Sequence, residues 1–347
     1  MNRIIIAFLM FFNLSFAQDI NLDALNNFEK FFDDAVIFSD KFITPATDAA
    51  VYQSASGWTY SAKKRKLWSS SLGIHSNLFL VPNNDREFLL KDSDFKFLKI
   101  QNATSATVAS ALGDGTQVNI IDIYGVIDPA KPIKSPKGVN QKIIFYPHLS
   151  ASIAVWNGTE VLLKFAPKTQ INKGEYQVYG FGLKHNISQY MHYLKKNKLN
   201  LAVLLTKSIE KINFDFLDIQ TNLGTLGINT LNGDIDSWQF QLNASKEFGK
   251  FEIMIASITN KSDFKYQFSG EKGTIDNIIT FDGGSSQAFF NEKIKDIYKN
   301  KINSIVEVSA TYNLNKFYFQ TAFAFNKFLN SNVSVHYKFN WKHLIYV

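Results

Sequence analysis

The residues of this sequence that could do chemistry are few, and their spacing does not match known sites. Cysteine is absent, which excludes structural disulfides, thiolate metal sites and cysteine nucleophiles. No HExxH motif or phosphate-binding loop occurs, and Gly180-Phe181-Gly182 is too short for a dinucleotide loop. The six histidines lack the spacing of metal ligands; they are His75, His148, His185, His192, His336 and His343. We therefore predict no metal and no cofactor.

Serine and histidine stand close together at two places, as a serine hydrolase would require. Ser76 follows His75 directly, and neighbours in a strand point to opposite faces, which separates the two side chains. Ser334 and His336 share a face, but no third residue is evident that would orient the histidine as a base. We predict no catalytic residue and no enzyme.

The elements that would carry these residues are β-strands of alternating polarity. Similar patterns cover residues 68–80, 306–313, 317–326 and 332–341, and Asn157-Gly158 marks a tight hairpin turn. The clearest alternation runs from residue 237 to residue 245. Its apolar face consists of Trp238, Phe240, Leu242 and Ala244, and its polar face includes Gln239, Gln241, Asn243 and Ser245.

Such alternation fits both a soluble β-sandwich and a membrane barrel. Long strands, aromatic residues at strand ends and a final aromatic strand favour the barrel. We predict an all-β fold, an antiparallel transmembrane β-barrel of about 12–14 strands that spans residues 67–347. The polar residues 270–301 would form an external loop, and residues 95–124 fit either strand or helix. The predicted lumen-facing residues are Gln239, Gln241, Asn243 and Ser245.

The first residues have the layout of a secretory signal. Arg3 precedes an apolar run at residues 4–12, and the small residues Ser15 and Ala17 follow. We predict that residues 1–17 are removed by cleavage between Ala17 and Gln18. No later stretch offers the ~18 uninterrupted apolar residues of a membrane-spanning helix. The predicted location is therefore the outer membrane of a bacterium, reached by export.

Residues 18–66 precede the predicted barrel and form an N-terminal segment of their own. Apolar residues recur there at helical spacing, and Pro45 is expected to interrupt the helix. In a barrel this segment would lie in the lumen or at its periplasmic mouth, as a plug or hatch; in a soluble protein it would lie across the core. The apolar face of the helix comprises Leu22, Leu25, Phe28, Phe32 and Val36.

Basic residues exceed acidic ones, with a formal charge of +7 and a pI near 9.2. They are scattered apart from two groups, at residues 63–66 and 195–198. Cationic turns beside an anionic lipid surface account for both groups, and an exported protein rarely meets nucleic acid. We expect outer-membrane lipid as a partner and no nucleic acid.

Two blocks of sequence resemble an uncharacterised family of exported bacterial barrel proteins. The first block comprises residues 42–45, 56–63 and 66–82, and the second is residues 179–187, Tyr-Gly-Phe-Gly-Leu-Lys-His-Asn-Ile. That family is similar in outline to the long-chain fatty acid transporters, whose N-terminal segment plugs a barrel of fourteen strands. The resemblance implies that residues 19–63 form a hatch. Thr44-Pro45-Ala46 is the only trace of the Asn-Pro-Ala-Gly hatch motif of those transporters.

These observations leave three functional hypotheses. The first is a passive outer-membrane channel or uptake protein for small molecules, hydrophobic ones included, with the N-terminal segment obstructing a polar lumen. The second is a barrel that serves as a binding platform for an exported partner or a secretion machine, with residues 270–301 as the contact loop. The third is a soluble exported β-sandwich or adhesin. The identity of any protein partner stays open.

Overall fold

A computed structural model of the chain describes residues 22–114, 117–125, 130–216, 220–221, 224–277 and 284–339. The predicted signal peptide and its cleavage site between Ala17 and Gln18 lie outside these ranges. The helices are α1 (Leu22–Ala55), α2 (His192–Lys196) and α3 (Ser286–Lys293). The strands are β1 (Ser70–Leu80), β2 (Glu87–Lys91), β3 (Leu98–Ile100), β4 (Ser105–Ala109), β5 (Asn119–Asp122), β6 (Ile133–Lys134), β7 (Ile143–Trp156), β8 (Thr159–Ile171), β9 (Gly174–Asn186), β10 (Leu199–Asp215), β11 (Gln220–Thr221), β12 (Gly224–Thr225), β13 (Thr230–Phe248), β14 (Phe251–Ser269), β15 (Lys299–Leu314), β16 (Phe317–Phe325) and β17 (Leu329–Phe339).

Ten long strands close into one antiparallel barrel, in the order β1, β17, β16, β15, β14, β13, β10, β9, β8, β7. Closure occurs at β1, which pairs with β17 on one side and β7 on the other, so that Ser70 lies beside both Phe339 and Ile153. The predicted fold class, an all-β barrel preceded by a helical segment, is confirmed. A closed barrel also replaces the two stacked sheets of the sandwich alternative.

The predicted count of 12–14 barrel strands is too high. Residues 81–142 contribute no barrel strand within their described part, because their short strands pair with one another. β2 pairs with β4, and β5 joins β3 to β6. β11 and β12 likewise form a separate pair. Several segments with the composition of strands therefore do not join the barrel, which is why the predicted number of barrel strands is too high.

The two ends of the barrel differ in their connections. At the short-turn end, tight turns at Asn157-Gly158, Gly249-Lys250 and Asn315-Lys316 join neighbouring strands, and residues 187–198 form a somewhat longer connection. Gly158 and Gly249 both have positive φ, as such turns require. At the long-loop end lie the connections at residues 81–142, 216–229 and 270–298. In bacterial outer-membrane barrels, the short turns face the periplasm and the long loops face outside.

The two faces of the barrel wall exchange polarity along the strands, most clearly on β13. Near the short-turn end Trp238, Phe240 and Leu242 point outward and are exposed, while Gln239 and its polar neighbours point inward and are buried. Near the long-loop end Leu231 and Ile235 point inward, and Asn232, Asp234 and Asp236 point outward. The short-turn half thus suits a bilayer, and the long-loop half suits water outside and an apolar core inside.

Helix α1 fills that apolar core. It has 34 residues, about 50 Å at the rise of an α-helix. Rings of Phe32, Phe38 and Phe42 are buried, and they contact rings from the connections around them. The C-terminal end of α1 reaches the lumen of the short-turn half, where Ala55 accepts hydrogen bonds from the barrel wall. No helix of the described residues is long and apolar enough to cross a membrane.

The expectation that Pro45 interrupts the helix is wrong, because α1 continues through it to Ala55. Proline removes one backbone donor and disturbs the preceding turn, but the surrounding packing compensates for this loss. Ile43 and Ala46 beside it are almost fully buried. Tertiary burial therefore overrides the local signal.

The predicted external loop at residues 270–301 is a folded part of the long-loop end in its described residues. It includes α3, while residues 299–301 belong to β15. Phe290 of α3 is buried and its ring lies 4.8 Å from that of Phe32 and 4.2 Å from that of Phe268. On the other side of α1, the Asp34 carboxylate accepts hydrogen bonds from the backbone N–H groups of residues 96, 97 and 98, at 2.7–2.9 Å. The connections of the long-loop end are thus fastened to α1.

Candidate functional site: the closed lumen

The lumen of the short-turn half is occupied by the chain that leaves α1. We call residues 54–66 the plug segment; they run from the last turn of α1 through the lumen to β1. Trp58, Tyr60 and Ala62 of this segment are buried against the wall. Among the described residues, residues 58–65 form no backbone–backbone hydrogen bond. Their main-chain polar groups therefore depend on side chains for partners.

Side chains of the barrel wall supply donors to the main-chain carbonyls of the plug segment. Lys164 of β8 donates to the carbonyls of residues 54 and 56, at 2.8 and 2.5 Å. The remaining contacts follow the chain in order: Gln239 and Gln241 donate to Ala55 at 3.1 and 3.2 Å, Gln320 to Thr59 at 3.2 Å, Thr311 to Tyr60 at 2.9 Å, Lys184 to Ser61 at 2.9 Å, and Asn186 to Ala62 at 2.8 Å. Five strands of the wall hold the segment by its backbone.

The wall also meets other polar groups of the plug segment. The Glu307 carboxylate of β15 accepts a hydrogen bond from the N–H of Gly57 at 3.0 Å. The Asn330 amide of β17 donates to the Ser56 hydroxyl at 2.7 Å, and Ser61 donates its hydroxyl to Glu252 of β14 at 2.8 Å. The wall thus offers donors and acceptors together, the combination that a peptide backbone requires.

One large side chain anchors the plug segment to the wall. The Trp58 indole packs with Leu162 and Leu204, and the Lys164 ammonium lies 4.8 Å from its ring centroid. Gly180 of β9 lies beneath the ring, where a Cβ atom would approach Cη2 of Trp58 to 2.6 Å. Gly180 therefore makes room in the wall for the Trp58 ring, and residues 179–182 are part of strand β9 and not a nucleotide-binding loop.

A buried ionic group closes the lumen near the short-turn end. The Glu160 carboxylate lies 2.7 Å from the Lys184 ammonium and 3.3 Å from the Arg65 guanidinium. All three side chains are nearly inaccessible to solvent. Arg65 also donates to the Ser152 hydroxyl at 2.6 Å. Because Arg65 belongs to the plug segment and the other three to the wall, the group ties the plug to β7, β8 and β9.

The structure places all four predicted lumen residues on the inner face of β13, where each is buried. Gln239 and Gln241 contact the plug segment, as described above. Ser245 donates its hydroxyl to Glu252 at 2.5 Å. The side-chain amide of Asn243 makes no hydrogen bond within the described residues. The four residues therefore share one surface but differ in what they contact.

Three histidines that lie far apart in the sequence meet on the lumen wall. The rings of His75 and His148 stack at 4.1 Å, and the ring of His336 lies 4.9 Å from that of His75. Within the described residues, no group of histidine, aspartate or glutamate is arranged to hold a metal ion. The Ser334 hydroxyl lies 3.0 Å from Nε2 of His336. No carboxylate hydrogen-bonds to His336 in the described chain, so this pair lacks the third member of a catalytic triad.

A cavity of about 330 Å³ opens at the short-turn end, beneath the plug segment. Its acidic members are already engaged: Glu247 pairs with Lys63, and Glu252 accepts from Ser61. The cavity is strongly basic, with a lining that includes Lys63, Lys64, Arg65, Lys66, Lys250 and Lys338. Solute that approaches the plug from this side therefore meets positive charge.

Sequence reasoning missed most of the wall residues that hold the plug. Lys164, Lys184, Thr311, Glu307 and Gln320 all lie at inward positions of alternating strands. The signal that identified Gln239 and Gln241 was present for them too. However, a lone lysine in a strand is usually exposed, so its inward position was not evident from the sequence. These side chains lie close together only because the barrel is closed.

The family to which this sequence belongs is shown by a match over residues 1–339, which is almost the whole chain. The chain is a member of the family of unknown function DUF6588. No curated protein matches the sequence at a significant level. This match agrees with the resemblance to an uncharacterised family that the sequence showed. The description of the family does not mention fatty acid transporters.

Solved structures with some likeness to this DUF6588 protein are outer-membrane barrels. The attachment invasion locus protein Ail of Yersinia pestis is 7% identical, with a TM-score of 0.27, over 79% of this chain and all of its own. The translocator domain of the autotransporter NalP from Neisseria meningitidis is 6% identical, with a TM-score of 0.28, over 85% of this chain and 95% of its own. The toluene transporter TbuX of Ralstonia pickettii is 8% identical, with a TM-score of 0.28, over 80% of this chain and 90% of its own. At such scores none of these likenesses bears on what this chain binds.

Proposed function

We propose that this DUF6588 protein is an outer-membrane channel or uptake protein for small molecules whose lumen is closed by its own plug segment. The observation that carries the proposal is the set of wall side chains that grip the backbone of residues 54–62 inside a polar lumen. A wall with a polar inner face and an apolar outer face is the arrangement of a barrel that passes solutes across a bilayer. The lumen is closed in the state described.

The location supports this role. The outward apolar belt of the short-turn half has the polarity of a lipid-facing wall, and the predicted signal peptide would bring the chain to the periplasm. With short turns towards the periplasm, the basic cavity faces the periplasm and the long-loop end faces outside. The resemblance in outline to the fatty acid transporters, whose N-terminal segment plugs the barrel, agrees with the same role and indicates no ligand.

The chemistry of the plug contacts makes them reversible. In the long-loop half, α1 packs through apolar rings whose separation would expose a large apolar surface to water. In the short-turn half, the plug segment is held mostly by hydrogen bonds and ion pairs, which water or a polar solute can replace, and Trp58 adds a large apolar contact. Movement is therefore easiest for residues 56–66, while α1 stays in place.

A lock on the plug segment tests the proposal. The chain has no native cysteine, so the variant Ser56→Cys/Asn330→Cys carries two unique thiols at side chains now in contact at 2.7 Å. Joining these thiols with a short crosslinker should stop solute flux into proteoliposomes, and cleavage of the crosslinker should restore it. Each single cysteine variant is the control. Flux that is equal in the locked and released states contradicts a moving plug.

Release of the plug segment is the complementary test. Trp58→Ala/Arg65→Ala removes the main packing anchor and the plug's member of the buried ionic group, and it should raise single-channel conductance in planar bilayers. Phe240→Ala on the outer face of β13 is the control and should leave the conductance as in the parent. These point variants keep α1 and its apolar core, which removal of residues 19–63 would destroy. A released variant that stays closed contradicts the proposed channel.

A binding platform is the second candidate, and one observation favours it. The long-loop half of the barrel forms a folded body with an apolar core inside and polar residues outside. Leu89 of β2 and Ile123, directly after β5, are exposed on this body. If this body binds an exported partner, Leu89→Glu/Ile123→Glu should abolish that binding and leave solute flux unchanged. A loss of flux in this variant would count against a separate platform role.

A further inference from the structure

Residues 54–62 of the plug segment form hydrogen bonds with the wall mainly through their main chain. Seven of their carbonyl groups, those of residues 54, 55, 56, 59, 60, 61 and 62, accept hydrogen bonds from wall side chains. A carbonyl is the same in every residue, so such contacts do not depend on the sequence that is bound. Main-chain recognition of this kind is how proteins bind extended peptides of varied sequence.

The wall is complementary to a peptide in both directions of hydrogen bonding. Lysine, glutamine, asparagine and threonine side chains donate to carbonyls, and Glu307 accepts from the N–H of Gly57. The donors come from β8, β9, β13, β15 and β16, so they surround the segment. A groove on one sheet edge would bind one side of a strand, whereas this lumen satisfies a chain on several sides.

The side chains of residues 54–62 offer few features that a sequence-specific binding site could recognise. Between residues 54 and 62 most side chains are small: Ser54, Ala55, Ser56, Gly57, Thr59, Ser61 and Ala62. Trp58 and Tyr60 are the two large members, and Gly180 in the wall leaves room for Trp58. Within residues 54–62, wall hydrogen bonds to side chains, those of Ser56 and Ser61, are fewer than wall hydrogen bonds to carbonyls.

We infer that the wall of the short-turn half is a binding site for extended peptides and that the plug segment occupies this site in place of a peptide from outside. This inference rests on the proposed function, since a peptide can enter only after the plug segment has moved. It names peptides as the substrate class, because the row of carbonyl groups in a peptide supplies acceptors for the wall donors. A hydrocarbon ligand would leave each of these donors without a partner.

Two peptides and a sugar test the inference on the full-length Trp58→Ala/Arg65→Ala variant. The first peptide has the sequence of residues 54–62 with both ends blocked, the second is a scrambled form of it, and the third compound is a maltooligosaccharide of similar mass. In planar bilayers, both peptides should reduce conductance at concentrations about tenfold lower than the sugar, a difference of about 1.4 kcal/mol. Equal potency of peptides and sugar overturns the inference.

Wall variants in the same background test the carbonyl donors directly. Gln320→Ala/Thr311→Val removes two donors and should raise the blocking concentration of both peptides about tenfold, as loss of about two hydrogen bonds would. Asn260→Ala is the matched control, because Asn260 is a buried residue of the lumen wall whose amide bonds to nothing in the described plug segment. An equal effect of both variants overturns the role of the donors.

Binding of a fluorescent form of the first peptide to the detergent-solubilised variant, followed by anisotropy, separates the two proposals. Peptide binding without conductance overturns the channel and supports the peptide site. Conductance without preferential peptide binding overturns the peptide site and supports the channel. Absence of both overturns both.

Discussion

The indole of Trp58 lies over Gly180 so closely that a single methyl group at position 180 would reach within 2.6 Å of its Cη2 atom. Gly180 is in β9, and Trp58 is in the plug segment more than a hundred residues earlier in the chain. A gap in the barrel wall and the largest side chain of the plug are therefore matched in shape. The first prediction follows from this contact.

Gly180→Ala should push Trp58 away from the wall and loosen the plug segment. Overpacking of this kind costs about 1–3 kcal/mol. We expect a lower urea midpoint for the folded barrel and a higher single-channel conductance. Adding Trp58→Leu to Gly180→Ala should restore much of the stability, because the smaller side chain leaves room for the methyl group. Equal stability of parent and Gly180→Ala would show that the ring is free to move.

Breaking the buried ionic group should destabilise the barrel far more than breaking an exposed pair. Lys184→Met leaves the buried Glu160 with only the longer contact to Arg65, and loss of one partner in a buried pair costs about 3–5 kcal/mol. Lys173→Met is the control, since it breaks an exposed pair with Asp215 and should cost less than about 1 kcal/mol. Urea unfolding in lipid vesicles measures both. Similar losses of unfolding free energy in the two variants would contradict an ionic group that is shielded from water.

Charge on the outer wall should be tolerated in the long-loop half and not in the short-turn half. Ile255 and Gln267 both point outward on β14, one within the apolar belt and the other beyond it. Ile255→Arg should cost about 2–4 kcal/mol, as a cation near the bilayer midplane does, whereas Gln267→Arg should cost little. The measurement is the free energy of unfolding in vesicles. Equal losses of unfolding free energy in the two variants would show that the edge of the bilayer does not lie where the outer face changes polarity.

Acid should loosen the attachment of the long-loop connections to α1 before the barrel opens. The Lys41 ammonium, 2.6 Å from Asp94, holds the pKa of that carboxyl below its usual value of 3.8. A lowered folded pKa means that the stabilisation is present above the unfolded pKa and is lost as the pH falls through the folded one. Hydrogen exchange at residues 92–100 should therefore accelerate below about pH 4. In Asp94→Asn this pH dependence should weaken and not disappear, because the Asp34 carboxylate also holds the N–H groups of residues 96–98. An unchanged dependence would assign it wholly to another group.

The sequence by itself determined which residues of a strand share a face of the wall. Alternation has a period of two in every strand regardless of its partners, so Gln239 and Trp238 were assigned to opposite faces from their order alone. The same property placed Ser334 and His336 on one face, where they meet at 3.0 Å. Polarity patterns of single strands are local, and local patterns can be predicted.

Tertiary structure decided what the alternation could not. Whether a strand-like segment joins the ladder depends on closure between distant strands, such as β1 with β17, so the number of strands was overestimated. Pro45 stays within α1 because burial around it outweighs one lost hydrogen bond. The grip on residues 54–62 brings together side chains from five strands, whose proximity no spacing in the sequence encodes. Contacts of this kind exist only once the barrel has closed around the chain that fills it.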